Sequence, residues 1–142
     1  MLAQEIDFYR IFKIHPTIMI LLTADLVIVD ANDEALRALG RTLEDMVGRN
    51  FFEIVRKMPD DSGDPEWTGL EEAMSSGHGE GRLLKRQDIE DPANPGAFEE
   101  RYWSTQAVPI RGLDGKVEVI EFSAREMTPV IEQYRRLQGE QA

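Results

Sequence analysis

The chain has 142 residues, 42% hydrophobic and 30% charged, a balance that fits one globular domain with a core of its own. It has no cysteine, which excludes disulfides, thiolate metal sites, iron–sulfur clusters and a cysteine nucleophile. Its formal net charge is −11 and no Lys/Arg run exceeds a pair, so nucleic acid and anionic membrane surfaces are not expected partners.

Residues 3–13 read as a helix. Ile6, Phe8, Tyr9, Ile11 and Phe12 place apolar side chains around much of its circumference, and such a helix must bury more than one face. His15-Pro16 stops it, because the residue before proline is pushed out of the helical region. Two β-branched, apolar runs follow at 17–23 and 26–30, separated by Ala24-Asp25 as in a hairpin. Neither approaches the ~20 residues of a membrane helix. The N-terminus also lacks the basic start and apolar centre of an export signal, so a cytoplasmic location is expected.

Asn32 is placed to cap a helix that carries Ala35, Leu36 and Leu39 and ends at Gly40. Thr42 and Asp45 form a capping-box pattern for a short turn closed by Gly48. Residues 50–58 read as another short helix with Phe51, Phe52, Ile54 and Val55 able to face inward. A loop rich in proline and aspartate runs to Asp64-Pro65, where cap and proline start a helix bearing Trp67, Leu70, Ala73 and Met74. Strands are predicted at 80–89, 97–111 and 116–125, the last two joined by a tight turn at Gly112-Leu-Asp-Gly115. Thr128-Pro129 opens a final helix with Val130, Ile131, Tyr134 and Leu137 along one side. Two strands, several short helices and three antiparallel strands predict an α+β plan, one antiparallel sheet with its helices on one face.

This order resembles the PAS family, as do two local strings, LLTADLVIVDANDEALRALGRTLEDMVGRNFFEI (21–54) and ERYWSTQAVPIRGLDGKVEVIEFSAREMT (100–128). The first is similar to the family's hairpin, its asparagine at the helix start and its turn-closing glycine. The second is similar to its last two strands. The FEERYWS run is similar to PAS modules of bacterial signalling proteins such as sensor histidine kinases. The resemblance implies a PAS fold: a five-stranded antiparallel sheet of order 2-1-5-4-3 cupping short helices, the enclosed space open to a ligand. It divides the chain into an N-terminal flanking helix (1–15), a PAS domain (16–128) and a C-terminal signalling helix (129–142). Where the family has Asp-x-Thr after the last strand, this chain has Glu126-Met127-Thr128.

Strands alternate sides with period 2. The set Trp103, Thr105, Ala107 and Pro109 on one strand, and Ile120, Phe122 and Ala124 on the next, are the inward candidates. With Ile28, Asn32, Leu36, Phe51, Phe52, Leu70, Met74 and Leu84 they make up the candidate ligand pocket, Ala107 and Pro109 aside. The family's flavin-binding light sensors carry a reactive cysteine where Phe51 stands, a glutamine where Ala124 stands and a polar contact where Trp103 stands. By that resemblance no light-sensor flavin is expected. Heme is not expected either, because the helix predicted over 65–76 has no histidine and His78 falls in a glycine-rich loop after it. No cofactor is expected, and an unidentified small ligand is allowed. His15 reads as a structural or surface residue.

Three other patterns are weaker. The loop Gly77-His-Gly-Glu-Gly81 sits between helix and strand, the reverse of the order that aims amides at phosphate. The acidic run Asp60 to Glu66 lacks calcium-loop spacing and reads as a solvated loop. No Ser or Thr is paired by spacing with a histidine and a third orienting group. The chain therefore reads as a non-catalytic sensory module that binds a small ligand or relays a conformational change through dimerisation. The alternatives are a ligand-free PAS dimerisation module and, from another class, a small α+β barrel enzyme of the steroid-isomerase or cyclase type. The latter needs an acid among the inward residues, and the candidates hold none. The resemblance implies an effector, such as a histidine kinase, in cis or in trans. A homodimer is expected, with Ile6, Phe8, Tyr9, Phe12, Val130, Tyr134 and Leu137 as interface candidates.

Overall fold

The computed structural model of the chain describes residues 2–55 and 80–141. The helix expected at 65–76, with Leu70 and Met74, and the loops bearing the acidic run and His78 lie outside them.

The N-terminal segment is not one helix. A 3-10 turn, Ala3–Glu5, is followed by extended Ile6, and α1 (Phe8–Ile14) begins only where the Asp7 side chain accepts the Arg10 N–H. Lys13 anchors α1 to the domain. Its Nζ donates to the Ala31 carbonyl at 2.9 Å and lies 3.8 Å from Asp30.

β1 (Ile18–Thr23) and β2 (Ile28–Ala31) form the expected hairpin, but β2 starts two residues late. Leu26 is the reason. It sits at φ 65°, a left-handed conformation unusual for a branched residue, with its N–H bonded to the Thr23 carbonyl and its side chain buried. Burial of the side chain holds a turn that the backbone alone disfavours.

Asn32 caps α2 (Asp33–Leu39), and left-handed Gly40 ends it. Thr42 caps α3 (Leu43–Met46) through the Asp45 N–H, and Asn50 caps α4 (Phe51–Ile54) through the Phe52 N–H. Each capping oxygen satisfies one amide that a helix start leaves unpaired.

The strand expected at 97–111 is broken. β3 (Glu80–Arg86) and β6 (Tyr102–Arg111) pair in the main sheet, while β4 (Ile89–Glu90) and β5 (Phe98–Glu99) form a separate ribbon. The Asp91–Gly96 turn decides this. Asp91 takes the Ala93 N–H on its side chain and donates its own N–H to the Ala97 carbonyl, closing a local hairpin. β7 (Val117–Glu126) completes the sheet, and α5 (Thr128–Gln141) follows it. The main sheet runs β2-β1-β7-β6-β3, which is the expected 2-1-5-4-3 order once the ribbon is set aside.

All sheet pairings are antiparallel, and the register aligns inward residues in rows. Leu22, Ile120 and Pro109 make one row, Ile20, Phe122 and Ala107 the next, and Ile18, Ala124 and Thr105 a third. The core lies between these rows and α2 to α4, with Ile28, Met46 and Phe51 at its centre.

Candidate functional site

On β7 the third row carries a small side chain, Ala124, where the first two carry Ile120 and Phe122. Space remains above it. A cavity of about 40 Å³ is lined by Ile18, Ile20, Leu39, Val55, Gln87, Ile89, Trp103, Thr105, Phe122 and Ala124. Among the described residues the walls are apolar apart from Gln87 and Thr105, and none of the side chains is ionisable. Trp103 is held in place by its own indole N–H, which donates to the Gln87 carbonyl at 2.8 Å. A buried indole paired in this way is oriented as well as packed. Leu39 and Ile89 also line a wider, polar cleft of about 340 Å³ between α2 and the β4–β5 ribbon.

Of the residues singled out from the sequence, Trp103, Thr105, Phe122 and Ala124 meet in this cavity. Ile28, Phe51 and Ile120 are fully buried in the core but do not line it, and Leu36 and Phe52 pack at the core's edge. Leu84 lies on β3.

Asn32 has a different task. Its Oδ1 accepts the N–H groups of Met19 and Ala35, and its Nδ2 donates to the carbonyls of Thr17 and His15. The side chain ties β1 to α2 with its hydrogen-bonding capacity taken up, leaving nothing for a ligand. His15 joins the same corner, its Nδ1 accepting the Thr17 N–H.

Gln87 and Ile89 were not legible as lining residues, whereas Val55 was among those read as able to face inward. Gln87 and Ile89 sit where the chain leaves the main sheet for the ribbon, and no periodicity extends across that break. Leu39 and Ile18 carried a signal in principle, since both belong to apolar stripes.

Next to Trp103, on the opposite side of β6, Tyr102 holds α5. Its N–H donates to Thr128 Oγ1 at 2.9 Å, and its carbonyl accepts the Met127 N–H at 2.7 Å. The Tyr102 hydroxyl donates to Glu100 Oε1 at 2.7 Å and accepts from Arg135 Nη2 at 2.8 Å. The hydroxyl of Tyr102 and then the Arg135 guanidinium hold the Glu100 carboxyl below its ordinary pKa. Arg101 closes the same corner, donating to Glu126 and Glu99, each at 2.9 Å. Glu126 thus makes an ion pair where the Asp-x-Thr pattern is altered.

A family model described as the PAS fold matches residues 15–132. The chain belongs to the PAS family. Solved PAS structures share its fold at low identity. The PAS domain of a Colwellia psychrerythraea protein is 15% identical, with a TM-score of 0.69 over 86% of this chain and 95% of that one. The PAS domain of nitrogen regulation protein NR(II) from Vibrio parahaemolyticus is 14% identical, with a TM-score of 0.63 over 82% and 94%. A LOV protein of Rhodobacter sphaeroides is 17% identical, with a TM-score of 0.64 over 83% and 63%. No curated protein matches the sequence.

The described lining of this PAS domain does not fit a flavin. Even benzene occupies a cavity of roughly 150 Å³, and the space here is about 40 Å³. Among the described residues no three His, Cys, Asp or Glu side chains cluster to hold a metal, and no helix is long and apolar enough to cross a membrane.

Proposed function

We propose that this PAS domain is a non-catalytic sensory module that couples occupancy of the inner-face cavity to the position of α5. One observation carries the reading. Trp103 and Tyr102 are consecutive on β6, so their side chains leave opposite faces of the strand. One is a wall of the cavity and the other holds the C-terminal helix. A ligand that moves the indole moves the strand on which α5 is latched. The absence of an ionisable group among the described residues of the cavity wall argues against acid–base chemistry there.

Such a module needs a recipient. An effector such as a histidine kinase, in cis or in trans, is the natural one, and a homodimer is the natural geometry. The terminal helices support the latter. Phe8 is 62% exposed, Tyr9 58% and Ile14 65%, and on α5 Val130 and Tyr134 are 56% and 60% exposed. Exposed apolar residues grouped in this way favour a partner surface. The same feature supports a second reading, a ligand-free dimerisation module, which the small size of the cavity also favours.

The test is a spin-label distance from α5 to β1, measured while small uncharged molecules are titrated. A ligand at 100 times its dissociation constant should also stabilise the fold by about 2.7 kcal/mol. Stabilisation without a change in the α5 distance would leave binding and remove the relay. Neither effect with any compound, in a protein that sediments as a dimer, would favour the ligand-free reading.

A further inference from the structure

Among the described residues of the cavity wall, Thr105 carries a polar atom that the fold itself does not use. Thr105 is 8% exposed, and its Oγ1 is buried without a hydrogen-bond partner. A buried hydroxyl in that state bears a desolvation cost that a partner would remove. Thr105 pairs across the sheet with Ala124 on β7 and with Arg82 on β3, and Trp103 and Ala107 flank it along the strand. Gln87, the other polar wall residue, directs its Nε2 to the Asp88 carbonyl.

Water is a poor occupant of such a place. A buried water needs two to four polar partners, and an apolar cavity that cannot supply them stays dry. A charged ligand is worse, because among the described residues no ionisable side chain lines the space to pair with it. The space itself, about 40 Å³, admits roughly three or four non-hydrogen atoms at ~10–15 Å³ each.

Resting on the cavity reading above, we infer that the ligand class is small, uncharged amphiphiles: a short hydrocarbon body against Ile18, Phe122 and Trp103, and one hydroxyl or carbonyl hydrogen-bonded to Thr105 Oγ1. Leu39 and Ile89 line both this cavity and the neighbouring cleft, which makes that side the shortest way in. With about four atoms at no more than ~1.5 kcal/mol each, affinity cannot be tighter than roughly 50 µM.

The experiment compares 2-propanol with isobutane, which has a methyl in place of the hydroxyl, and includes xenon as a purely apolar probe. Binding is read from the methyl resonances of Ile18, Ile20 and Ile89 in the wild-type protein, Thr105→Val and Thr105→Ser. In the wild type all three probes should shift these methyls. Thr105→Val should weaken 2-propanol relative to isobutane by about fivefold, the worth of one neutral hydrogen bond, and Thr105→Ser should restore the preference. Folding of each variant is checked by its melting temperature, which for Thr105→Val should not fall. If xenon and isobutane bind but the 2-propanol preference is absent or survives Thr105→Val, the ligand class is wrong while the cavity reading stands. If no probe shifts the methyls of the folded wild type, the cavity reading fails with it.

Discussion

The inner face of the sheet has two ends that use the same architecture differently. At the hairpin end, Leu22 and Ile120 pack against Ile28, Met46 and Phe51, and none of the five is more than 1% exposed. At the other end, Ile18, Trp103, Thr105, Phe122 and Ala124 are each 5 to 8% exposed and enclose a cavity. The boundary is aromatic: the rings of Phe51 and Phe122 meet at 4.9 Å, tilted by 60°. Both ends are apolar, so hydrophobicity does not separate them. Side-chain volume on β7 does, Ala124 standing where the other rows have Ile120 and Phe122. A close-packed interior feels a change of one methylene, so one alanine in the place of isoleucine or phenylalanine suffices to leave space.

The largest effect expected is at the sealed end. Phe51→Ala should cost about 4 kcal/mol, because no existing space lets the site relax around the new void. Trp103→Ala, at the open end, should cost about 3 kcal/mol, losing both packing and the bond to the Gln87 carbonyl. Denaturant titration measures both, and the comparison breaks if Trp103→Ala behaves as a surface change.

Asn32→Ala should cost about 3 kcal/mol, since it strips partners from two amides and two carbonyls at the junction of β1 and α2. It should leave probe binding in the cavity intact, which separates a structural asparagine from a ligand contact.

A sharper comparison comes from one substitution made at two places. Ala107→Leu, in the row of Ile20 and Phe122, should cost about 2 kcal/mol through overpacking. Ala124→Leu should cost less than about 1 kcal/mol, because the added atoms enter the cavity, and it should abolish probe binding. Equal losses in the two variants would mean that the third row is as tightly packed as the second.

The smallest effect lies outside the core. The Glu100 carboxyl is held below its ordinary pKa by Tyr102 and then Arg135. Its folded state binds the proton more weakly than the unfolded state. Its contribution is therefore complete above the ordinary carboxylate range and is lost as pH falls through the lower, folded value. These groups are solvent-exposed, so the stability change should be slight. The readout is the mobility of α5 by 15N relaxation, which should rise as the carboxyl protonates. Glu100→Gln should flatten that response, and an unchanged response would place the pH sensitivity elsewhere.

Local chemistry made much of the fold legible. Caps at Asn32 and Thr42 lie within a few residues of the amides they satisfy, so spacing alone located two helix starts, while Asn50, read as the first residue of its helix, is the cap. Alternation likewise placed Trp103, Thr105, Ile120, Phe122 and Ala124 on the inner side, because a strand's period does not depend on its neighbours. The breaks were harder to read. The late start of β2 depends on Leu26 keeping a left-handed backbone to bury its side chain, and the ribbon of β4 and β5 depends on hydrogen bonds around Asp91. Both trade local preference against tertiary gain, which no window of sequence contains.

The candidate site divides in the same way. Periodicity and side-chain chemistry are properties of the chain, and they placed the inward residues of β6 and β7 and showed none of those to be charged. Long-range packing settles which inward residues share a row, because register joins Ile18, Ala124 and Thr105 across more than a hundred residues of chain. It alone revealed that Asn32 is consumed by the backbone and that the Thr105 hydroxyl is not. Whether a polar atom is satisfied depends on what long-range packing brings within about 3 Å of it.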